Sequence, residues 1–259
     1  MKRLAGKIAV ITGGASGIGK AMATIFTQEG AGVHILDKAG EAARQLAETL
    51  RARGAQAWAH EVDLTHGPDV KAILDQIQGD TPFSILVCNA GVGMVGTLEE
   101  TSEADLDRLF AVNVKGVFHS MQAAIPHFRT NGGGAILNVA SIAATVALPA
   151  RFAYSMTKGA VLSMTYTVAM DYRQENIRCN SISPARVHTQ LVDTFVAKNY
   201  PGQEAEMMEK LAKSQPIGRM GTPEEIAHFA AFLVSDEAAF ITGTDYPIDG
   251  GFIRLSAHT

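Results

Sequence analysis

The chain has 259 residues, 47% hydrophobic and 19% charged, which suits one full α/β core. A formal net charge of -4 supplies no basic field for nucleic acid or an anionic membrane, and no apolar run reaches membrane-spanning length. The opening "MKRLAGKIAVITGG" passes into a strand-like run without the apolar core and cleavage site of a signal peptide, so the expected location is the cytoplasm.

In chain order, "KIAVIT", "GVHIL", "AQAWAHEV", "FSILVC", "GAILNVAS" and "IRCNSIS" are short apolar or alternating runs separated by longer amphipathic stretches. That βαβα alternation predicts a doubly wound parallel sheet with helices on both faces, in a single domain spanning residues 1–259. One stretch, residues 189–215, is charged, amphipathic and longer than an ordinary connection; it reads as a helical lid over a site or as a surface helical hairpin. Cys88 and Cys179 fall in strand-like segments without metal-ligand spacing and read as small buried hydrophobes of a reducing compartment. His34, His60, His66, His119, His127, His228 and His258 likewise show no metal-ligand spacing.

The first chemical signal is "VITGGASGIGKAMATIF", where Gly13, Gly17 and Gly19 follow a strand and open a helix. Glycines there let backbone turn tightly and approach a ligand, and the helix start offers unpaired N–H groups to a pyrophosphate. The spacing is G-x-x-x-G-x-G, and glycines in such a turn can also be merely structural. Asp37, about twenty residues on at the end of "VHILD", adds a carboxylate placed to accept from an adenosine ribose and to repel a 2′-phosphate. Ala15 and Ser16 stand where a phosphate-binding loop would want Arg or Lys, and the pattern favours NAD over NADP despite neighbouring Lys38. Further on, "YSMTK" places Tyr154 and Lys158 on one helical face, where an ammonium can stabilise a phenolate and make the tyrosine usable as an acid or base. An isolated Y-x-x-x-K is more commonly an amphipathic helix with a solvated lysine.

The ordered set "TGGASGIG", "CNAG", Asn113 in "FAVNVKG", Ser141 in "LNVAS" and "YSMTK" resembles the short-chain dehydrogenase/reductase family from residue 7 to about 253. The resemblance implies a Rossmann-like sheet of about seven strands, with "TGTDYPIDGG" holding the last, and a homo-oligomer, commonly a homotetramer. It makes Tyr154 the catalytic acid/base, Lys158 the group that activates it and holds the nicotinamide ribose, Ser141 the residue that polarises the substrate oxygen, and Asn113 the holder of a water in a proton relay. On the cofactor it places Gly13, Ser16, Gly17, Ile18, Gly19 and Asp37; Asp63 and Leu64 near the adenine; Asn89, Ala90 and Gly91 along the adenosine; and Pro184, Val187 and Thr189 by the nicotinamide. Two departures stand out: Cys88 replaces a common asparagine, and Ala185 a common glycine.

The implied reaction is reversible oxidation of a secondary alcohol with NAD as cofactor. Arg151, just before the tyrosine, and Arg186, after the sixth strand, can both face a small-molecule substrate, and guanidinium groups there point to a carboxylate. Either could equally serve a surface ion pair. With "SPARVHT", "KNYPG" and "QPIGRMG", they resemble bacterial members that handle sugar acids, 2-keto-3-deoxy-L-fuconate dehydrogenases among them. His188 could reach a polyol hydroxyl, and Met94 could line the pocket. The alternatives left open are a neutral sugar, polyol or other carbonyl substrate, and a non-catalytic NAD-binding sensor.

Overall fold

Seven parallel strands form one sheet in the order β3-β2-β1-β4-β5-β6-β7. They are β1 (Ile8–Thr12), β2 (Gly32–Asp37), β3 (Ala57–Glu61), β4 (Ile85–Cys88), β5 (Gly134–Val139), β6 (Ile177–Pro184) and β7 (Asp245–Ile248). The computed structural model describes residues 2–255; His258 lies outside them.

Side chains alternate across this sheet, so each strand feeds two hydrophobic layers. Ala9 and Ile11 of β1, Val33 and Ile35 of β2, and Ile85 and Val87 of β4 enter one layer with Met22 and Phe26. Val10, Leu36, Leu86 and Cys88 enter the other with Leu74, Phe83 and Phe128. Both layers must be covered, and helices cover them. On the first face lie α1 (Gly17–Gln28), α2 (Gly40–Ala52) and α9 (Pro223–Val234), whose buried residues belong to that layer. On the second lie α3 (Gly67–Asp80), α5 (Gly116–Thr130) and α6 (Phe152–Tyr172). Burying a side chain of the size of Phe26 or Phe128 contributes about 1.5–3 kcal/mol, and both are wholly buried.

Four further helices are α4 (Glu103–Phe110), α7 (Gln190–Asn199), α8 (Glu204–Lys213) and α10 (Phe252–Leu255). The helices α7 and α8 occupy the insertion expected as a lid and pack on each other. Between α4 and α5 the chain forms a π turn, Ala111–Lys115, closed by the Gly116 N–H on the Ala111 carbonyl. No sequence signal predicts that turn, and it places buried Asn113 at its centre.

The parallel β1–β4 pair ends in register, with Thr12 opposite Cys88. The strand order reverses there, since β1 is followed by β2 on one side and β4 stands on the other. Such a switch opens a crevice beyond the strand ends, where ligands of open α/β sheets bind.

Cys88 and His34 are packed in the interior. Cys88 points into the α5 layer, and burial pushes its thiol up to about 12. Its side chain is therefore inert packing, which accounts for the departure at that position. His34 stacks on Trp58 with centroids 4.4 Å apart, and burial first, then His60, lowers its pKa to about 3. Among the described residues no group of three or more His, Cys, Asp or Glu could hold a metal ion. Nor is any helix among them long and apolar enough to cross a membrane.

Candidate active site

The glycine turn opens α1 at the crevice. Gly13 and Gly17 take left-handed backbone, φ 62° and 51°. Gly19 is required for space: a Cβ there would lie 2.1 Å from the Gly13 carbonyl oxygen and 2.5 Å from Asn89 Nδ2. The start of α1 is left open for an anion. Ser102 and Thr222 cap α4 and α9 with their hydroxyls, and both of those first turns carry acids. Ser16 makes no such bond at the N-cap of α1, and the first turn holds no acidic residue. The free N–H groups around Gly17, Ile18 and Gly19 thus fit a pyrophosphate.

Asp37 ends β2 with both carboxylate oxygens engaged, Oδ2 by the Ala15 N–H at 3.0 Å and Oδ1 by the Ala39 N–H at 2.9 Å. It therefore braces the glycine turn and stands at the rim where a ribose diol would meet it. Asp63 lies on the same rim, its carboxyl held down at about 2 by Lys38 and by Thr65. Leu64, beside it, is buried, and its carbonyl pairs with His119 Nδ1.

Thr12 was invisible to sequence reasoning. It is buried, and its Oγ1 donates to the Val87 carbonyl and accepts from the N–H groups of Asn89 and Ala90. Asn89 in turn donates through Nδ2 to the carbonyls of Thr12 and Gly13. That amide locks the glycine turn to the end of β4, so Asn89 acts on the crevice by positioning its wall. Gly91 completes this wall at close range: a Cβ there would lie 3.3 Å from Asn113 Oδ1 and 3.5 Å from Lys158 Nζ.

Tyr154 and Lys158 are both on α6, one turn apart, with the Lys158 ammonium 5.9 Å from the centre of the Tyr154 ring. Lys158 is 5% exposed, and Nζ donates to the Val139 carbonyl at 2.8 Å. The ammonium is thus buried on the same face of α6 as the Tyr154 ring. Ser141 follows β5 and caps the short turn Ile142–Ala144, its Oγ accepting from the Ala143 N–H at 3.2 Å. The hydroxyl proton of Ser141 is left to donate elsewhere.

The side chain of Asn113 is a brace between two segments. Oδ1 accepts from the Val92 N–H, and Nδ2 donates to the Val92 carbonyl and to Thr157 Oγ1. Both amide hydrogens are consumed in tying the segment after β4 to α6. Thr157, a second residue that the sequence reading missed, passes the link on by donating to the Tyr154 carbonyl. Its place, three residues after Tyr154 and one before Lys158, was the available signal.

The two arginines come together. Arg151 is the residue before α6, presented by Ala150 in left-handed backbone at φ 52°, a conformation that costs a non-glycine residue about 1–2 kcal/mol. The guanidinium donates to the Met94 carbonyl at 3.0 Å and sits 6.0 Å from the centre of the Tyr154 ring. Met94 therefore enters the site through its backbone. Arg186 follows β6 and donates through Nε to Ser214 Oγ, at the foot of α8. Burial lowers its pKa, and the nearby Arg151 charge lowers it further. Two like charges are thus held near each other on neutral partners.

The remaining residues expected near the nicotinamide lie at the end of β6 and just after it. Pro184 ends β6, and Val187 is buried and forms a parallel bridge with Gly221. The Gly221 N–H reaches the Arg186 carbonyl, and the His188 N–H the Gly221 carbonyl, both at 2.9 Å. Thr189, the N-cap of α7, makes no side-chain capping bond and stands over Gly17, whose Cβ position is 3.6 Å from Thr189 Cγ2. His188 turns to Asp193 at 2.7 Å.

This arrangement has counterparts among known proteins. The family profile described as enoyl-(acyl carrier protein) reductase matches residues 13–253. Cyclohexanol dehydrogenase of Acinetobacter sp. (strain SE19) is 37% identical over 248 residues, 95% of this chain and 94% of that one. NAD-dependent glycerol dehydrogenase of Listeria innocua is 39% identical over 247 residues, 95% and 93% of the two chains. The crystal structure of L-sorbose reductase from Gluconobacter frateurii, complexed with NADPH and L-sorbose, superposes with a TM-score of 0.94 at 30% identity, covering 99% of this chain and 100% of that one. With that sheet order, that glycine turn and that Ser–Tyr–Lys set, the chain belongs to the short-chain dehydrogenase/reductase family, oxidoreductases that bind a nicotinamide cofactor and act on alcohol or ketone groups.

Proposed function

We propose that the protein is an NAD-dependent dehydrogenase interconverting a secondary alcohol and a ketone, with a hydroxy acid or sugar acid as substrate. The observation that carries this reading is the buried Lys158 one turn from Tyr154, beside the glycine turn of α1. A bound nicotinamide supplies the hydride acceptor. In the alcohol-oxidising direction Tyr154, as phenolate, takes the proton of the substrate hydroxyl, and Lys158 stabilises that phenolate. Ser141 donates its hydroxyl proton to the substrate oxygen and fixes its position as the carbonyl forms. Asp37 supports NAD as the cofactor, since a fixed carboxylate at the ribose rim repels a 2′-phosphate. The helical pair α7–α8 serves as the lid.

Arg151 and Arg186 support an acidic substrate. Two guanidinium groups near each other, one half-buried, bonded to a carbonyl and a hydroxyl, gain most from an anion shared between them. The test is NADH formation from NAD across aldonic, deoxy-ketoaldonic and short hydroxy acids, each beside its neutral counterpart. Turnover should be confined to the acids. Arg151→Met should raise KM for an acid about 10- to 100-fold, the effect of losing one charge-assisted bond. A neutral analogue should feel only the loss of the Met94 contact; equal effects on both substrates place Arg151 outside the anion site. Turnover on neutral alcohols alone favours the second reading, which the named substrates of the cyclohexanol, glycerol and L-sorbose relatives support.

The assembly is read as a homotetramer. Phe152, Met156, Tyr166 and Met170 on α6, and Phe118 on α5, are large apolar side chains left in solvent, Met170 at 61% exposure. A second copy covering this strip would remove the apolar surface from water. Light scattering should give four times the 27.5 kDa chain mass, and a single chain mass at micromolar concentration would sink this reading.

A further inference from the structure

We propose that Asp63 is a positioning residue for cofactor choice: by holding the Lys38 ammonium, it withholds the cation that would otherwise favour a 2′-phosphate. The inference rests on the NAD reading above.

Lys38 directly follows Asp37, so its four-carbon stem starts on the rim that carries the ribose-binding carboxylate. A lysine there is two-faced. Left free, its ammonium can swing toward a phosphate and offset the repulsion from Asp37. The structure shows it engaged instead, Nζ lying 2.8 Å from Asp63 Oδ2 although the side chain is 80% exposed. Asp63 is itself fixed, because Oδ1 accepts from both the N–H and the hydroxyl of Thr65, at 3.0 and 2.8 Å. Its carboxyl stays ionised through the working pH range, with Lys38 the largest cause and Thr65 next.

The neighbouring cation is committed in the same way. Arg44, on α2, donates to Glu41 and to Glu61 at the end of β3. The rim therefore holds four carboxylates, Asp37, Glu41, Glu61 and Asp63, against two cations already paired with acids. A phosphate recruiting Lys38 must break the Asp63 bond and then sit beside the bared Asp63 charge. Asp37 cannot turn aside to make room, since each of its oxygens holds a backbone N–H. Discrimination then has two separable parts, repulsion by Asp37 and withholding by Asp63. An exposed ion pair adds little to stability, so the Lys38–Asp63 pair is readable in cofactor choice without a change in folding.

The experiment compares KM and kcat for NADP and NAD in Asp37→Ser and in Asp37→Ser/Asp63→Asn, each with and without Lys38→Met. Asparagine keeps an acceptor for Thr65 and removes the charge that holds Lys38. With Asp63 present, Lys38→Met should change the KM for NADP less than about twofold; with Asp63→Asn it should raise it about tenfold, with kcat unmoved and NAD unaffected. This dependence of one substitution on the other is something a merely structural role for Asp63 would not produce. An equal effect of Lys38→Met in both backgrounds overturns the proposal. A wild-type enzyme that prefers NADP overturns the NAD reading beneath it, a result visible before any variant is made.

Discussion

Replacing Tyr154 by Phe lowers kcat for the alcohol about 10²- to 10⁴-fold, the range that a positioned acid or base supplies, while the dissociation constant for the nicotinamide cofactor moves less than about threefold. The substitution removes one oxygen and keeps the ring. That ring has two cations near it, Lys158 Nζ at 5.9 Å and the Arg151 guanidinium at 6.0 Å from its centre, and phenylalanine preserves both contacts. Lys158 also keeps its bond to the Val139 carbonyl, so the group expected to hold the nicotinamide ribose stays in place. The loss should therefore fall on kcat. Stopped-flow measurement of NADH formation, paired with a fluorescence titration of cofactor binding, separates the two quantities. A variant that keeps more than a few per cent of wild-type turnover removes Tyr154 from proton transfer and leaves Ser141 as the group to test next.

Substituting Gly19 by Ala should destabilise the fold by about 3 kcal/mol, as overpacking at a rigid contact does, and weaken cofactor binding with it. The new methyl group would sit 2.1 Å from the Gly13 carbonyl oxygen and 2.5 Å from Asn89 Nδ2. Neither neighbour can step aside cheaply. Gly13 is backbone of the turn itself, and Asn89 is held by its bonds to Thr12 and Gly13. The strain passes along that chain of bonds to the end of β4, which ties a local clash to the whole crevice. Gly79, in α3, provides the control: a Cβ there meets nothing within 4 Å and its backbone is helical. Gly79→Ala should stabilise by about 0.5–1 kcal/mol through helix propensity alone. Urea unfolding of both variants, with and without NAD, measures the contrast; equal and small effects would mean that the turn is looser than its contacts imply.

The parts of the site that were legible in the sequence are those whose chemistry is written locally. Six strands follow from apolar runs, the seventh from the family resemblance, and the glycine turn and the Tyr154–Lys158 pair from spacings shorter than eight residues. The parts that were not legible depend on contacts between distant segments. Thr12 looks like an ordinary strand-end threonine until Asn89 and Ala90, 77 and 78 positions away, are brought to its hydroxyl. Asn113 reads as a polar residue on a helix; only the π turn, which leaves no compositional trace, sets its amide against Val92 and Thr157. Ala150 is the sharpest case, since alanine gives no hint of left-handed backbone. Its conformation is imposed from outside, by the hydrogen bond from the Gly96 N–H to the Ala150 carbonyl at 2.8 Å and the parallel bridge between Gly96 and Arg151. The helical insertion was legible in its extent but not in its division, which falls at Tyr200–Gln203 between α7 and α8.

The bridge between Val187 and Gly221 gives the pair α7–α8 a property of its own. The chain leaves the core at Arg186 and returns to it at Gly221, and the backbone bonds between those two points close the detour before either helix begins. Everything between is a cassette. Loop closure costs little more as its length grows, while buried Val196 and Gln215 and the Ile217 N–H on the Gly250 carbonyl hold it to the body of the molecule. On the proposed reading, the cover over the substrate can then be exchanged while Tyr154 and Lys158 keep their places on α6.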